Sequence, residues 1–162
     1  MSQETIVLSL TLNGVSRRLS VAPNRILADM IREDFALTGT KIACDQATCG
    51  ACTVLVDGAP MAACSTFAWQ VEGKEVLTIE GLAKDGKLDP VQEAFKARSA
   101  FQCGYCTPGM ILLAKALLQR NRQPDRATIR AHLSANVCRC TGYQMIIEAV
   151  EDAAQRMAGS AP

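Results

Sequence analysis

Eight cysteines in a chain of 162 residues, falling into two groups of four with none left over, constrain this protein more than any other feature. The first group is Cys44, Cys49, Cys52 and Cys64; the second is Cys103, Cys106, Cys138 and Cys140. What such groups do depends on the redox compartment. The opening residues Met1-Ser2-Gln3-Glu4 lack a basic stretch followed by an apolar one, so no secretion signal is expected and the chain is expected to be cytoplasmic. A reducing compartment does not sustain a disulfide framework, and clustered thiols there are read as metal ligands. No apolar run reaches the roughly 18 residues a membrane-spanning helix needs. Seventeen basic against sixteen acidic side chains leave no positive excess for nucleic acid or an anionic membrane.

The rest of the pattern predicts an α+β chain with a boundary between residues 82 and 83. Within 1–82, Ile6, Leu8, Leu10 and Leu12 alternate up to Asn13-Gly14, and Val15, Arg17, Leu19 and Val21 continue the period of two. Asn-Gly between alternating runs is a strong hairpin signal. Helical spacing follows over 23–34, with Ile26, Leu27, Met30 and Ile31 on one face. Strands are expected at Thr53–Val56, closed by Asp57-Gly58, then at 61–65 and 76–79. Strands around one helix suggest a small β-grasp sheet. Lys84-Asp85-Gly86-Lys87 reads as a linker, and helical segments are expected at 88–98, 108–120, 125–134 and 142–157. Short connections between them suggest a compact four-helix bundle over 83–162. Aromatics are only 4% of the chain, so its core must be built from Ala, Leu, Val, Ile and Met.

In the first group, Cys44-x4-Cys49-x2-Cys52 with a distant Cys64 matches the plant-type ferredoxin spacing. Three thiolates on one tight loop can wrap a two-iron unit while the fourth arrives from a neighbouring strand. The loop must also turn backbone N–H groups toward sulfur, and Gly50 suits so tight a path. Structural zinc sites more often pair cysteines as C-x2-4-C twice, a poorer match. The second group, Cys103-x2-Cys106 and Cys138-x-Cys140, places each pair just before a helix start. Thr107-Pro108 offers a capping hydroxyl and a proline at the first helical position, and Thr141-Gly142 something similar. Two positive helix ends near four thiolates favour an anionic cluster. By spacing alone this second group leaves zinc open.

Three motifs then carry a resemblance: Cys49-Gly50-Ala51-Cys52-Thr53-Val54, Gln102-Cys103-Gly104-Tyr105-Cys106-Thr107-Pro108-Gly109-Met110, and Asn136-Val137-Cys138-Arg139-Cys140-Thr141-Gly142-Tyr143. In this order, and across Leu8 to about Ala154, the chain resembles the small iron–sulfur subunit of the molybdenum hydroxylase (xanthine dehydrogenase) family. The resemblance implies a plant-ferredoxin-like β-grasp domain followed by a helical-bundle domain, each with one [2Fe–2S] cluster. It places the first cluster on Cys44, Cys49, Cys52 and Cys64, facing FAD of a medium subunit. It places the second on Cys103, Cys106, Cys138 and Cys140, nearest the molybdopterin, in its cytosine dinucleotide or unmodified form, of a large subunit. Gln102 and Cys140 match the positions that contact the pterin. The implied assembly is a dimer of heterotrimers whose substrate pocket lies on the large subunit. The chain departs from the family at two usual glycine positions, which here hold Ala43 and Ala47.

Other residues read more plainly. His132 is the only histidine, which excludes a Rieske-type pair, and it is expected on a helix face. Arg139, between two thiols, is expected to tune the site electrostatically, to pair with a partner subunit, or to be simply exposed. Phe67 and Trp69 are expected to pack, and the Met110, Leu113, Leu117 stripe to be core. No phosphate-binding glycine motif occurs. No acid, base or nucleophile constellation is evident, so no catalytic residue is expected on this chain. Electron transfer within a larger oxidoreductase is the expectation; a stand-alone ferredoxin-type shuttle and a zinc-stapled interaction module are the rivals. The neutral charge disfavours a shuttle, which is usually acidic for steered docking.

Overall fold

The computed structural model describes residues 4–159, so Met1 to Gln3 of the opening stretch lie outside the described residues. Strand β1 (Ile6–Leu12) turns through Asn13 (φ 52°) and Gly14 (φ 78°) into β2 (Val15–Val21), with Leu12 opposite Val15 and Leu8 opposite Leu19. Two successive left-handed residues match the twist of the strands they join, which is why Asn-Gly serves here. The same device recurs at Asp57 (φ 49°) and Gly58 (φ 76°) between β3 (Thr53–Val56) and β4 (Ala59–Ala62). Strand β5 (Glu75–Leu77) inserts between the two hairpins, parallel to β1 and antiparallel to β3. The sheet order is β2-β1-β5-β3-β4, a β-grasp arrangement.

Helical geometry between the hairpins is shorter and wider than the spacing suggested. Ile26 is extended and bridges Phe67, so α1 is only Leu27–Asp29 and continues as a π-helical turn over Met30–Asp34. The Phe35 N–H reaching the Met30 carbonyl at 3.2 Å marks that wider turn. Leu27, Ala28, Met30 and Ile31 are buried and cover the sheet, as their spacing implied. Two strands are also displaced from expectation. After β4 the chain tightens into a 3₁₀ turn at Ala63–Ser65, and after β5 into another at Ile79–Gly81, so neither strand extends that far.

Helices α2 (Pro90–Ala97), α3 (Thr107–Arg120), α4 (Arg126–Leu133) and α5 (Gln144–Gly159) form the second half. The expected apolar stripe of α3 is wider than one face: Met110 to Ala114 and Ala116 to Leu118 are all buried. A helix apolar nearly all round belongs in the centre of a domain. Here α3 packs against α2, α4 and β3, and Leu55 of β3 joins the helical core. A second core, from Leu8 to Val76, lies under α1. His132 sits on its helix face as expected, its Nε2 3.0 Å from the Leu113 carbonyl, and so ties α4 to α3. Among the described residues no helix is long and apolar enough to cross a membrane.

Asp89 starts α2. Its carboxylate accepts from the Val91 N–H at 3.0 Å, the Gln92 side chain accepts from the Asp89 N–H, and Pro90 follows. The same carboxylate meets Lys115 of α3 in a pair that is largely shielded from solvent. Asp89→Ala, which removes both cap and counter-charge, is expected to cost about 2–3 kcal/mol. Asp89→Asn, which keeps the cap, should cost less, and urea unfolding midpoints of the two variants will give the difference.

Candidate metal centres

The loop from Cys44 to Cys52 carries no regular structure, and its path is set by left-handed residues: Asp45 (φ 54°), Ala47 (φ 59°) and Gly50 (φ 72°). That path turns N–H groups inward. Thr48 and Cys49 each direct a backbone N–H at Cys44 Sγ at 3.4 Å, and Ala47 directs one at Cys64 Sγ at 3.4 Å. Cys64 arrives on the 3₁₀ turn after β4, which is held to the start of β3 by the Ala63 N–H and the Cys52 carbonyl. Hydrogen bonds from the Thr48 side chain, then from the backbone N–H groups of Gln46 and Thr48, bring the Cys44 thiol down to about 6. Cys52 behaves oppositely: burial, and then its neighbour Cys64, push it up to about 12. A buried thiol of this kind keeps its proton unless a cation replaces it.

In the second group, Gly104 (φ 80°) makes the tight turn between Cys103 and Cys106, and the chain enters α3 at once. Thr107 is not the capping residue the sequence suggested. It is the first residue of the helix, the cap position is Cys106, and no side chain caps it. Thr141 does serve the thiols: its hydroxyl lies 3.1 Å from Cys138 Sγ and accepts from the Tyr143 N–H at 3.2 Å. Burial acts to raise the Cys138 thiol, but the Thr141 hydroxyl and the backbone N–H groups of Thr141 and Cys140 outweigh it and lower it. Burial and the adjacent Cys138 push Cys106 up to about 12.

The sulfurs of Cys103 and Cys140 stand 3.7 Å apart. That separation is far beyond the roughly 2.05 Å of a disulfide. It is close to the edge of a tetrahedron whose metal–sulfur bonds are about 2.3 Å, or about 3.8 Å between sulfurs. Among the described residues, no group of three or more His, Cys, Asp or Glu stands as a site for one metal ion. The thiols of each group are nonetheless neighbours: besides Cys103 and Cys140, Cys138 acts on Cys106, Cys64 on Cys52, and Cys49 on Cys44. Four neighbouring thiols in each group fit the four-thiolate donor set of a two-iron unit.

Exposure distinguishes the two groups. Cys103 and Cys140 are exposed, as is Gln102, with Phe101, Tyr105 and Val137 around them at 44%, 47% and 52% exposure. Arg139 is exposed between its neighbouring thiols. Phe67 and Trp69 pack on each other, stacked at the surface with ring centres 6.1 Å apart. Neither motif spacing nor periodicity revealed what joins the two groups. The Val137 N–H donates to the Cys49 carbonyl at 2.8 Å, and Asn136 Nδ2 donates to the Gly50 carbonyl at 3.1 Å. The Tyr105 hydroxyl donates to the Ile42 carbonyl at 2.6 Å. The Tyr143 hydroxyl donates to the Asn136 carbonyl and accepts from the Cys138 N–H.

Fold and thiol geometry together define an iron–sulfur protein built from two [2Fe–2S] domains. Residues 25–97 match the "2Fe-2S iron-sulfur cluster binding domain" family, and residues 78–151 match the "[2Fe-2S] binding domain" family. The chain is 47% identical to the nicotinate dehydrogenase small FeS subunit of Eubacterium barkeri, over 94% of this chain and 98% of that one. It is 46% identical to the xanthine dehydrogenase iron-sulfur-binding subunit of Escherichia coli O157:H7, over 92% and 94% respectively. A chain of quinoline 2-oxidoreductase from Pseudomonas putida 86 superposes with a TM-score of 0.93 at 45% identity, covering 98% of this chain and 99% of that one. The chain belongs to the small iron–sulfur subunits of the molybdenum hydroxylase (xanthine dehydrogenase) family, and it acts in electron transfer within an oxidoreductase complex.

Ala47 holds a left-handed conformation at a usual glycine position, whereas Ala43 is not among the left-handed residues. An L-residue with a Cβ in that region carries about 1–2 kcal/mol of strain. Ala47→Gly is therefore expected to stabilise the cluster-loaded chain by about 1 kcal/mol, read as a raised urea midpoint with unchanged iron content.

Proposed function

We propose that this chain relays single electrons between a molybdopterin site on a large partner subunit and FAD on a medium one. Cys44, Cys49, Cys52 and Cys64 hold one [2Fe–2S] cluster, and Cys103, Cys106, Cys138 and Cys140 hold the other. When bound, these clusters supply one-electron redox chemistry, and the protein's part is to position them and set their surroundings. The observation that carries the reading is the gathering of all eight thiols into two groups of four, whose segments touch where the Val137 N–H donates to the Cys49 carbonyl. Backbone N–H groups aimed at Cys44 and Cys64 stabilise negative charge on sulfur. Buried Cys52 and Cys138 keep water from one side of each site.

The exposed face around Cys103, Cys140 and Gln102 is where the large subunit would dock, with Gln102 and Cys140 against the pterin in its cytosine dinucleotide form. Apolar Phe101, Tyr105 and Val137 on that face favour a permanent interface over transient shuttling. The Cys44 loop is left for the medium subunit, in a cytoplasmic dimer of heterotrimers. The division at residues 82 and 83 follows the change from sheet to helices, although Leu55 and Leu82 of the first part pack in the helical core.

The test is anaerobic spectroscopy of the complex purified through a tag on this chain. About four irons per chain and bleaching of the visible bands by dithionite are expected for two [2Fe–2S] clusters. Purines, aldehydes, N-heterocycles and carbon monoxide, added singly, should then reveal the electron donor by the same bleaching. A colourless preparation containing zinc would sink the reading. Gln102→Ala should keep iron content and dithionite bleaching while slowing bleaching by substrate.

A further inference from the structure

Asn136 is fully buried, yet it lies in neither thiol group. Its Nδ2 donates across the junction to the Gly50 carbonyl, which lies between Cys49 and Cys52 in the opposite loop. The next residue, Val137, donates to the Cys49 carbonyl, and the one after that is the thiol Cys138. Space here is closed to any further atom. A Cβ on Gly109 would fall 2.5 Å from the Gly50 carbonyl and 2.9 Å from Asn136 Nδ2; one on Gly50 would fall 2.3 Å from the Ala135 carbonyl. Backbone from three segments thus meets around one side-chain amide.

The hydrogen-bond inventory indicates what the amide does. The Gly50 carbonyl already accepts from the Thr53 N–H at 3.1 Å and the Thr53 hydroxyl at 2.7 Å, so it is satisfied without Asn136. The other end of the amide, Asn136 Oδ1, is buried with no hydrogen-bond partner among the described residues. A residue selected only for folding stability gains little from a redundant donor and an orphaned acceptor. What the donor adds is direction: it fixes the Cys49–Cys52 loop relative to the segment leading into Cys138.

We infer that Asn136 is a positioning residue that sets the separation and orientation of the two cluster loops, seated in the space left open by Gly50 and Gly109. The inference rests on the assignment of the two thiol groups as cluster ligands. Its consequence is that electron exchange between the clusters depends on a side chain that ligates neither.

The experiment uses the purified complex carrying Asn136→Ala, with Val150→Ala, a buried position in α5, as a control for general loss of packing. Iron content, melting temperature, the midpoint potential of each cluster, and the magnetic splitting between the two fully reduced clusters are measured. Wild-type protein must first give two distinct reduced-cluster signals; without them the ligand assignment fails, and not this inference alone. The expected result for Asn136→Ala is full iron content, a narrowed splitting and a shifted potential for at least one cluster, while Val150→Ala lowers the melting temperature and leaves splitting and potentials alone. Should the alanine variant shed iron, Asn136→Ser carries the same readouts. Unchanged splitting and potentials in an iron-replete variant would overturn the inference, as would identical changes in the control.

Discussion

Gathering four sulfurs at one place puts negative charge where the chain would otherwise bury apolar groups, and much of the backbone answers to that demand. N–H groups must face inward, which an ordinary helix or strand cannot arrange. The chain therefore leaves regular structure at both thiol loops and uses left-handed residues there: Asp45, Ala47 and Gly50 in one, Gly104, Gly142 and Tyr143 in the other. Regular elements then serve as anchors. β3 and the turn after β4 bring Cys52 and Cys64 together, while the starts of α3 and α5 follow directly on the second group.

How far this could be read from sequence depends on the range of the interactions. The hairpins were legible because Asn13-Gly14 and Asp57-Gly58 act within four residues. The thiol motifs were legible because the spacing within Cys44-x4-Cys49-x2-Cys52, Cys103-x2-Cys106 and Cys138-x-Cys140 is local. The helix expected over 23–34 failed at its start because Ile26 pairs with Phe67, a contact 41 residues away in sequence that no periodicity reports. Thr107 was misread as a cap because Cys106 takes that position without offering a side-chain acceptor. The junction between the groups was illegible for the same reason of range: Asn136 and Gly50 are 86 residues apart. Gly109 offered a faint signal, as a glycine within the first turn of a long helix, where helix propensity alone argues against it.

The surface carries a second lesson. Apolar residues that periodicity assigns to no core include Phe101, Tyr105 and Val137, exposed within three residues in sequence of the exposed Cys103 and Cys140. Trp69 and Phe67 form a separate stacked pair beyond Cys64. Composition flagged the aromatics as scarce, and the structure spends several of them outside the core. In a chain of nearly balanced charge, such patches are the features most able to give a partner a fixed seat.

β3 is buried along its whole length, with Val54 and Val56 in the sheet's own core and Leu55 in the helical one. This single strand makes the two halves bad candidates for separate inheritance. A gene segment ending at residue 82 would encode every thiol of the first group, yet it would present Leu55 and the Gly50–Ala51 backbone to water where α3 belongs. Modules that look interchangeable on a domain map are, at this strand, two halves of one lock, and they can be recombined only as a pair.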